Sequence, residues 1–341
     1  MSARSLKLTL NDKVVGETPL LLPAFSSKVT PLIGEVIESL EDYINEPILL
    51  SAYDVYNNKS LQQRLPITCS DLIFLDSGGY ECSQDADLAD VVYPDYKPKD
   101  WTPEMHSEVV KTWPNDKPTV IISYDHPKDR KPIQLQIESA QRLFAGRKDI
   151  LTEILLKPES EDAKFIKLES IFQNIEALRT FDIIGLTEKE LGSSLLDRLE
   201  HLARIRIALD EFNVDKPLQI FGSLDPIICP LFFISGADIF DGLTWLRYGF
   251  IDGLAVYEQH YAIMHQLYDA RDVRVRMSRL VDNLNALKII RQQMANYLLD
   301  GNFEHFKHLK EPDKNLKPHK ELFEDIYTAL RSRLKPRGKE V

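Results

Sequence analysis

DLIFLDSGGYEC (71–82) runs four apolar residues into an aspartate, a serine and two glycines. A strand covered by helices on both faces has no wet side to alternate toward. It therefore reads as a short unbroken apolar run closed by polar or turn-forming residues. Seven other runs have this form: PLLLPA (19–24), PILLSA (47–52), TVIISYD (119–125), LTEILL (151–156), FDIIGL (181–186), LQIFGS (218–223) and ADIFDG (237–242). Amphipathic stretches separate them, among them 133–146 and 193–212. Eight such runs alternating with helices predict an α/β fold, a (β/α)8 TIM-type barrel. LKLTL (6–10) and KVVGE (13–17) flank Asn11-Asp12 and predict a β-hairpin on the barrel floor.

After residue 250 the pattern turns helical, and its clearest stretch, 280–301, stops at Gly301 as a helix C-cap would. The expected division is a barrel with its hairpin over 1–253 and a helical C-terminal extension over 254–341. Segment 83–118 is polar and carries Pro94, Pro98, Pro103 and Pro114, which suggests a lid or insertion.

The 341 residues are 43% hydrophobic and 28% charged, the balance of a soluble globular protein. No run reaches the roughly 18 apolar residues of a membrane helix, and MSARSLKLTL does not read as a secretory signal. Three dispersed cysteines, Cys69, Cys82 and Cys229, fit a reducing cytoplasm better than a disulfide framework. A net charge of −11 weighs against a broad nucleic-acid footprint. Local basic tracts at Arg271, Arg274, Arg276 and Arg279, and at 331–339, read equally as contact patches or as a solvated helix face and a tail.

Active sites of such barrels lie at the C-terminal ends of the strands. Asp76, Asp125 and Asp241 stand at three of those ends. Each alone reads as a turn or cap residue: Asp76 before Ser77-Gly78-Gly79, Asp125 before His126-Pro127, Asp241 with Asp238 before a helix. Together they predict a mouth lined by carboxyls whose mutual repulsion and burial raise at least one pKa. One such group can move protons while another acts as nucleophile, the pairing used at an anomeric carbon.

In this order along the chain, LIFLDSGGYE, VIISYDHP, IIGLTEKELG, FGSLDP and GADIFDG resemble motifs of the tRNA-guanine transglycosylase superfamily, as do TPLLLP and the helical stretch 282–306. DSGGYE and GADIFDG are the specific matches. The resemblance implies exchange of a guanine in nucleic acid for a 7-deazaguanine-type base through a covalent glycosyl-enzyme intermediate. It implies Asp241 as nucleophile and Asp76 as general acid/base. Asp125 would contact the base edge, with Ser77, Gly78 and Tyr80 in the same pocket. Gly185 and Leu186 would offer backbone groups to the base, with Glu190 behind them and Arg247 as a rough counterpart of the family's arginine. Gly78 and Gly79 are expected to let a flat base approach the backbone. The implied partners are DNA or tRNA, the incoming base, and either a second copy or a partner protein. No cofactor is implied.

Four departures stand beside the matches. The family's zinc-site cysteines are missing between Arg247 and Asn283, so no metal is expected. The base-reading glutamine of the fifth strand is replaced within EILLKPES (153–160), the motif glutamine is Glu81, and the pair after the nucleophile becomes TWLRYG (244–249). A non-catalytic partner subunit and a base-releasing glycosidase are the alternatives. Trp101, Trp113, His106 and His126 are expected to be packing residues, and Cys82 lacks an electropositive setting.

Overall fold

The computed structural model describes residues 3–83, 95–114, 116–306 and 319–335. The N-terminal strands β1 (Lys7–Leu10) and β2 (Lys13–Glu17) pair antiparallel. Their turn residues Asn11 and Asp12 both take positive φ, 49° and 63°, a conformation that Asn and Asp tolerate and a two-residue hairpin requires. Leu8 of this hairpin is buried against Leu20 and Leu72, so the hairpin closes the barrel floor as expected.

Each of the eight apolar runs forms a strand: β3 (Leu20–Pro23), β4 (Ile48–Ser51), β5 (Ile73–Asp76), β6 (Thr119–Ile122), β7 (Leu151–Leu156), β8 (Ile183–Thr187), β9 (Leu218–Phe221) and β10 (Ile239–Gly242). They make one parallel sheet in the order β3-β10-β9-β8-β7-β6-β5-β4. A parallel bridge between Ala24 and Leu49 brings the two edges together, so the sheet is nearly closed into a TIM-type barrel. Helices lie between consecutive strands, including Ile133–Phe144 after β6 and Leu195–Glu211 after β8. Ser194 and Asp197 form a reciprocal capping box at the start of the latter.

Strand alternation sorts the core into two parts. Leu22, Leu49, Phe74, Ile122, Leu155, Ile183 and Ile239 fill the barrel interior, while their strand neighbours such as Ile121, Ile184, Ile220 and Phe240 join the helix-facing cluster. Asp76 follows the same phase as Phe74, and Asp241 the same phase as Ile239. Both side chains therefore point into the upper barrel.

Two further strands, β11 (Gly249–Ile251) and β12 (Leu254–Val256), form a hairpin that straddles residue 253, where the barrel was expected to end. The helix Asp272–Asp300 then packs back on the barrel, and Arg291 reaches the carbonyl of Pro19 and the carboxylate of Glu46. It ends at Gly301, φ 69°, whose N–H donates to Tyr297 O at 2.8 Å. Of segment 83–118, residues 103–112 form a helix beside the barrel, with Trp101 and Trp113 buried. Residues 84–94 and 115 lie outside the described residues. Among the described residues, no helix is long and apolar enough to cross a membrane.

The basic tract divides. Arg279 is buried and donates to the carbonyls of Trp245, Leu246 and Tyr248, so it caps a helix end rather than offering charge to a partner. Arg271, Arg274 and Arg276 are exposed. Arg333 bridges Asp197 and Glu200, tying the last helix to the barrel, and residues 336–341 lie outside the described ones.

Candidate active site

The top of the barrel is divided into an acidic half and a neutralised half. Asp76 closes β5, and the N–H of Gly78 donates to its Oδ2 at 3.3 Å. Its Oδ1 is buried and has no hydrogen-bond partner among the described residues. Burial, reinforced by Glu81 and Asp125, raises its pKa from 3.8 to about 7, against the opposing N–H groups of Gly78 and Ser77. Asp241, on β10 opposite Leu22, accepts from Gln219 Nε2 at 3.2 Å. Burial and then the neighbouring Asp76 push its pKa well above the usual carboxylate range, and Gln219 and the N–H of Gly222 hold it down.

Glu81 extends this half. Its carboxylate accepts from Ser26 Oγ, and burial beside Asp54 raises it to about 7. Asp54, buried and accepting the N–H of Ser27 at 2.9 Å, is raised to about 7 by burial in the same way. Glu153 lies in the barrel interior, fully buried, with neither oxygen hydrogen-bonded among the described residues. Burial, Asp241 and Asp76 all raise its pKa.

In the other half the carboxylates are matched by cations. Asp125 accepts from Arg130 Nη1 at 2.7 Å and lies 3.5 Å from Lys157 Nζ. Glu190 lies 2.8 Å from the same Nζ and 3.5 Å from Arg130 Nη2. Lys157 also donates to Thr187 Oγ1 at 2.8 Å. Two acids and two bases thus form a nearly buried four-membered network in which Lys157, at the end of β7, occupies the centre.

Beside the acidic half, the Tyr80 hydroxyl accepts from Arg247 Nη2 at 2.6 Å, and Lys28 Nζ sits 4.1 Å from the Tyr80 ring centre. Lys28 also donates to the carbonyls of Tyr80 and Ser83. This triad ties the loop after β5 to the segment after β10.

The structure brings Asp76, Asp241, Ser77, Gly78 and Tyr80 to one region, with Arg247 joined to it through Tyr80. Asp125 and Glu190 meet in the charged network. Gly185 and Leu186 sit within β8. The sheet takes up backbone groups on both sides, and the Leu186 side chain belongs to the helix-facing core. A Cβ on Gly78 would lie 2.4 Å from Tyr53 Cβ, and one on Gly79 would lie 2.5 Å from Asp125 Oδ2. Both glycines are therefore required by close protein contacts; Gly78 in addition holds φ 92°.

Glu153, Gln219 and Lys157 are the members sequence reading did not assign. Glu153 and Gln219 are polar residues on the interior phase of otherwise apolar strands, LTEILL and LQIF, and that phase was the available signal. Cys82 is partly buried and its thiol is pushed up to about 12, which excludes a ready nucleophile. His106 is buried and driven down to about 3, a neutral packing residue between Trp101 and Tyr124. Among the described residues no cluster of three or more His, Cys, Asp or Glu is arranged to hold a metal.

What this half can do chemically follows from its proton count. Buried carboxyls that raise each other's pKa cannot all ionise, so near neutral pH protons are shared among them. One can then act as acid, and the Gln219 amide that donates to Asp241 favours the ionised form of that group once its proton has passed to a neighbour. No family model matches the chain, and no curated protein matches it.

Proposed function

We propose that the protein is a base-exchange transglycosylase acting on a nucleic acid, DNA or tRNA, with Asp241 as nucleophile and Asp76 as general acid/base. The observation that carries this reading is the pair itself: two buried carboxyls on interior-facing strand ends, both with raised pKa, Asp241 raised in part by Asp76 and hydrogen-bonded by a side-chain amide. The resemblance of DSGGYE and GADIFDG to the transglycosylase motifs supports the same assignment.

In this reading a carboxylate oxygen of Asp241 bonds to C1′ of a flipped or unpaired nucleotide. The glycosidic bond breaks, its electron pair passes to the departing base, and Asp76 supplies the proton. The incoming base gives its ring-nitrogen proton back to Asp76 and attacks C1′, and Asp241 is released as a carboxylate. Atoms and charge balance, and no net redox change occurs. The base would be a 7-deazaguanine type, read by a set altered from the family's by Lys157.

The test is covalent trapping. The protein is incubated with labelled guanine and either tRNA or DNA, and adducts are run on a denaturing gel. An adduct formed by the native chain and absent in Asp241→Ala supports the reading, and the polymer that yields it identifies the substrate. Abasic sites in place of exchange indicate a glycosidase. Neither adduct nor exchange with either polymer, partner proteins included, refutes catalysis and leaves a binding subunit.

A further inference from the structure

We infer that Glu153 is a positioning residue for Asp241: a carboxylic acid that donates to the Gln219 amide and so fixes which end of that amide faces the nucleophile. This rests on reading Asp241 as the nucleophile. The observations begin with Glu153 itself. It has no exposed surface, and neither carboxyl oxygen has a hydrogen-bond partner among the described residues. A buried polar group left in that condition is costly, and such groups call for a reason.

Gly185 supplies the local geometry. Its register partners are Leu155 on one side and Gln219 on the other, so it separates the β7 and β9 side chains on the interior face. Glu153 Oε1 lies 2.6 Å from where a Cβ on Gly185 would be. Any larger residue there would expel the carboxyl. The missing side chain lets Glu153 lean across β8 toward Gln219. Gln219 is likewise fully buried, and its Oε1 has no partner among the described residues, while its Nε2 donates to Asp241 Oδ1.

An amide has a donor end and an acceptor end of nearly equal size. Turned over, Gln219 would set its oxygen against Asp241 and repel the carboxylate. A protonated Glu153 offers an O–H to the acceptor end and excludes the turned form. An ionised Glu153 could not: it would meet Oε1 with lone pairs and place a second charge beside Asp241. Burial and the two aspartates keep it in the acid form. The proton stays on Glu153 throughout, so the residue orients and does not exchange.

Two substitutions separate orientation from bulk. Glu153→Gln retains a donor for the amide. Glu153→Leu has similar size and no donor. We expect Glu153→Gln to trap adduct nearly as fast as the native chain. Glu153→Leu should do so about 10- to 100-fold more slowly, with base KM unchanged. A native rate in Glu153→Leu overturns the inference, and so does an equal loss of rate in Glu153→Gln. Two readouts need no activity. The infrared absorption of protonated carboxyls at neutral pH should lose one component in Glu153→Gln relative to the native protein. The Gln219 side-chain amide resonance should move in Glu153→Leu and hold in Glu153→Gln. If the native chain traps nothing, the nucleophile reading fails, and these spectra still decide the contact. An ionised Glu153, or an unmoved Gln219 resonance, overturns it.

Discussion

Replacing Asp76 by Asn should make the protein more stable, and only on the alkaline side. The Asp76 carboxyl has a pKa near 3.8 in the unfolded chain and about 7 in the fold. Below about pH 4 both states carry the proton and the group is neutral to stability. Between pH 4 and 7 the unfolded state has lost its proton while the folded state keeps it, so stability falls as pH rises. Above 7 both are ionised and the loss is complete. Each pH unit inside the window is worth about 1.4 kcal/mol. From pH 5 to pH 8 the window covers two units, so the native chain should lose about 3 kcal/mol through this group. Asn is nearly the same size and cannot ionise. It also removes the charge that most raises Asp241 among its neighbours. Urea unfolding of native and Asp76→Asn proteins at pH 5, 6, 7 and 8 measures the difference directly. The variant should gain relative to the native chain as pH rises to 7 and then hold level. Parallel curves would refute the argument, because they would mean that Asp76 is ionised in the fold at pH 5 and is not the acid of the pair.

Lys157→Gln removes the cation at the centre of the Asp125–Glu190 network, leaving both acids on Arg130. It should cost about 2–3 kcal/mol in urea unfolding, and in base competition it should shift preference toward bases read by an amide. Arg206 is fully buried, pairs with Asp238 and donates to the carbonyls of Gly236 and Lys216 at 3.0 and 2.9 Å. Arg206→Met strands a buried carboxylate and should cost about 3–5 kcal/mol by the same measurement, whereas the added Asp238→Asn should restore part of it. Glu81→Gln removes the second cause of the raised Asp76 pKa. The proton-dependent limb of adduct formation should then move to lower pH.

The barrel was legible because burial on both faces leaves an apolar run, and the eight runs needed nothing else to be found. The hairpin was legible from Asn11-Asp12, whose positive φ the sequence pair signals. The strand-end aspartates were legible because the fold rule fixes which end of a strand carries chemistry. What could not be read was which way a neighbouring group points. Asp238 and Asp241 are three residues apart, yet one neutralises Arg206 near the start of β10 and the other faces the mouth. Arg279 read as surface charge because helix-cap carbonyls lie 31 to 34 residues away in sequence. Gly78 and Gly79 are in addition required by the close approach of Tyr53 and Asp125, contacts no local pattern encodes.

Glu81 shows how a departure from a motif can be part of the site's electrostatics. A glutamine there would be neutral and could donate. A glutamate facing Ser26, buried beside Asp54, adds an acid to a region that already holds Asp76, Asp241 and Glu153. Each added acid raises the others, so the group as a whole retains protons near neutral pH. On the other side, Lys157 adds a cation that lies within ion-pair distance of both Asp125 and Glu190. Position 81 thus adds a proton-holding carboxyl to one half of the mouth, while position 157 adds a cation shared by both acids of the other.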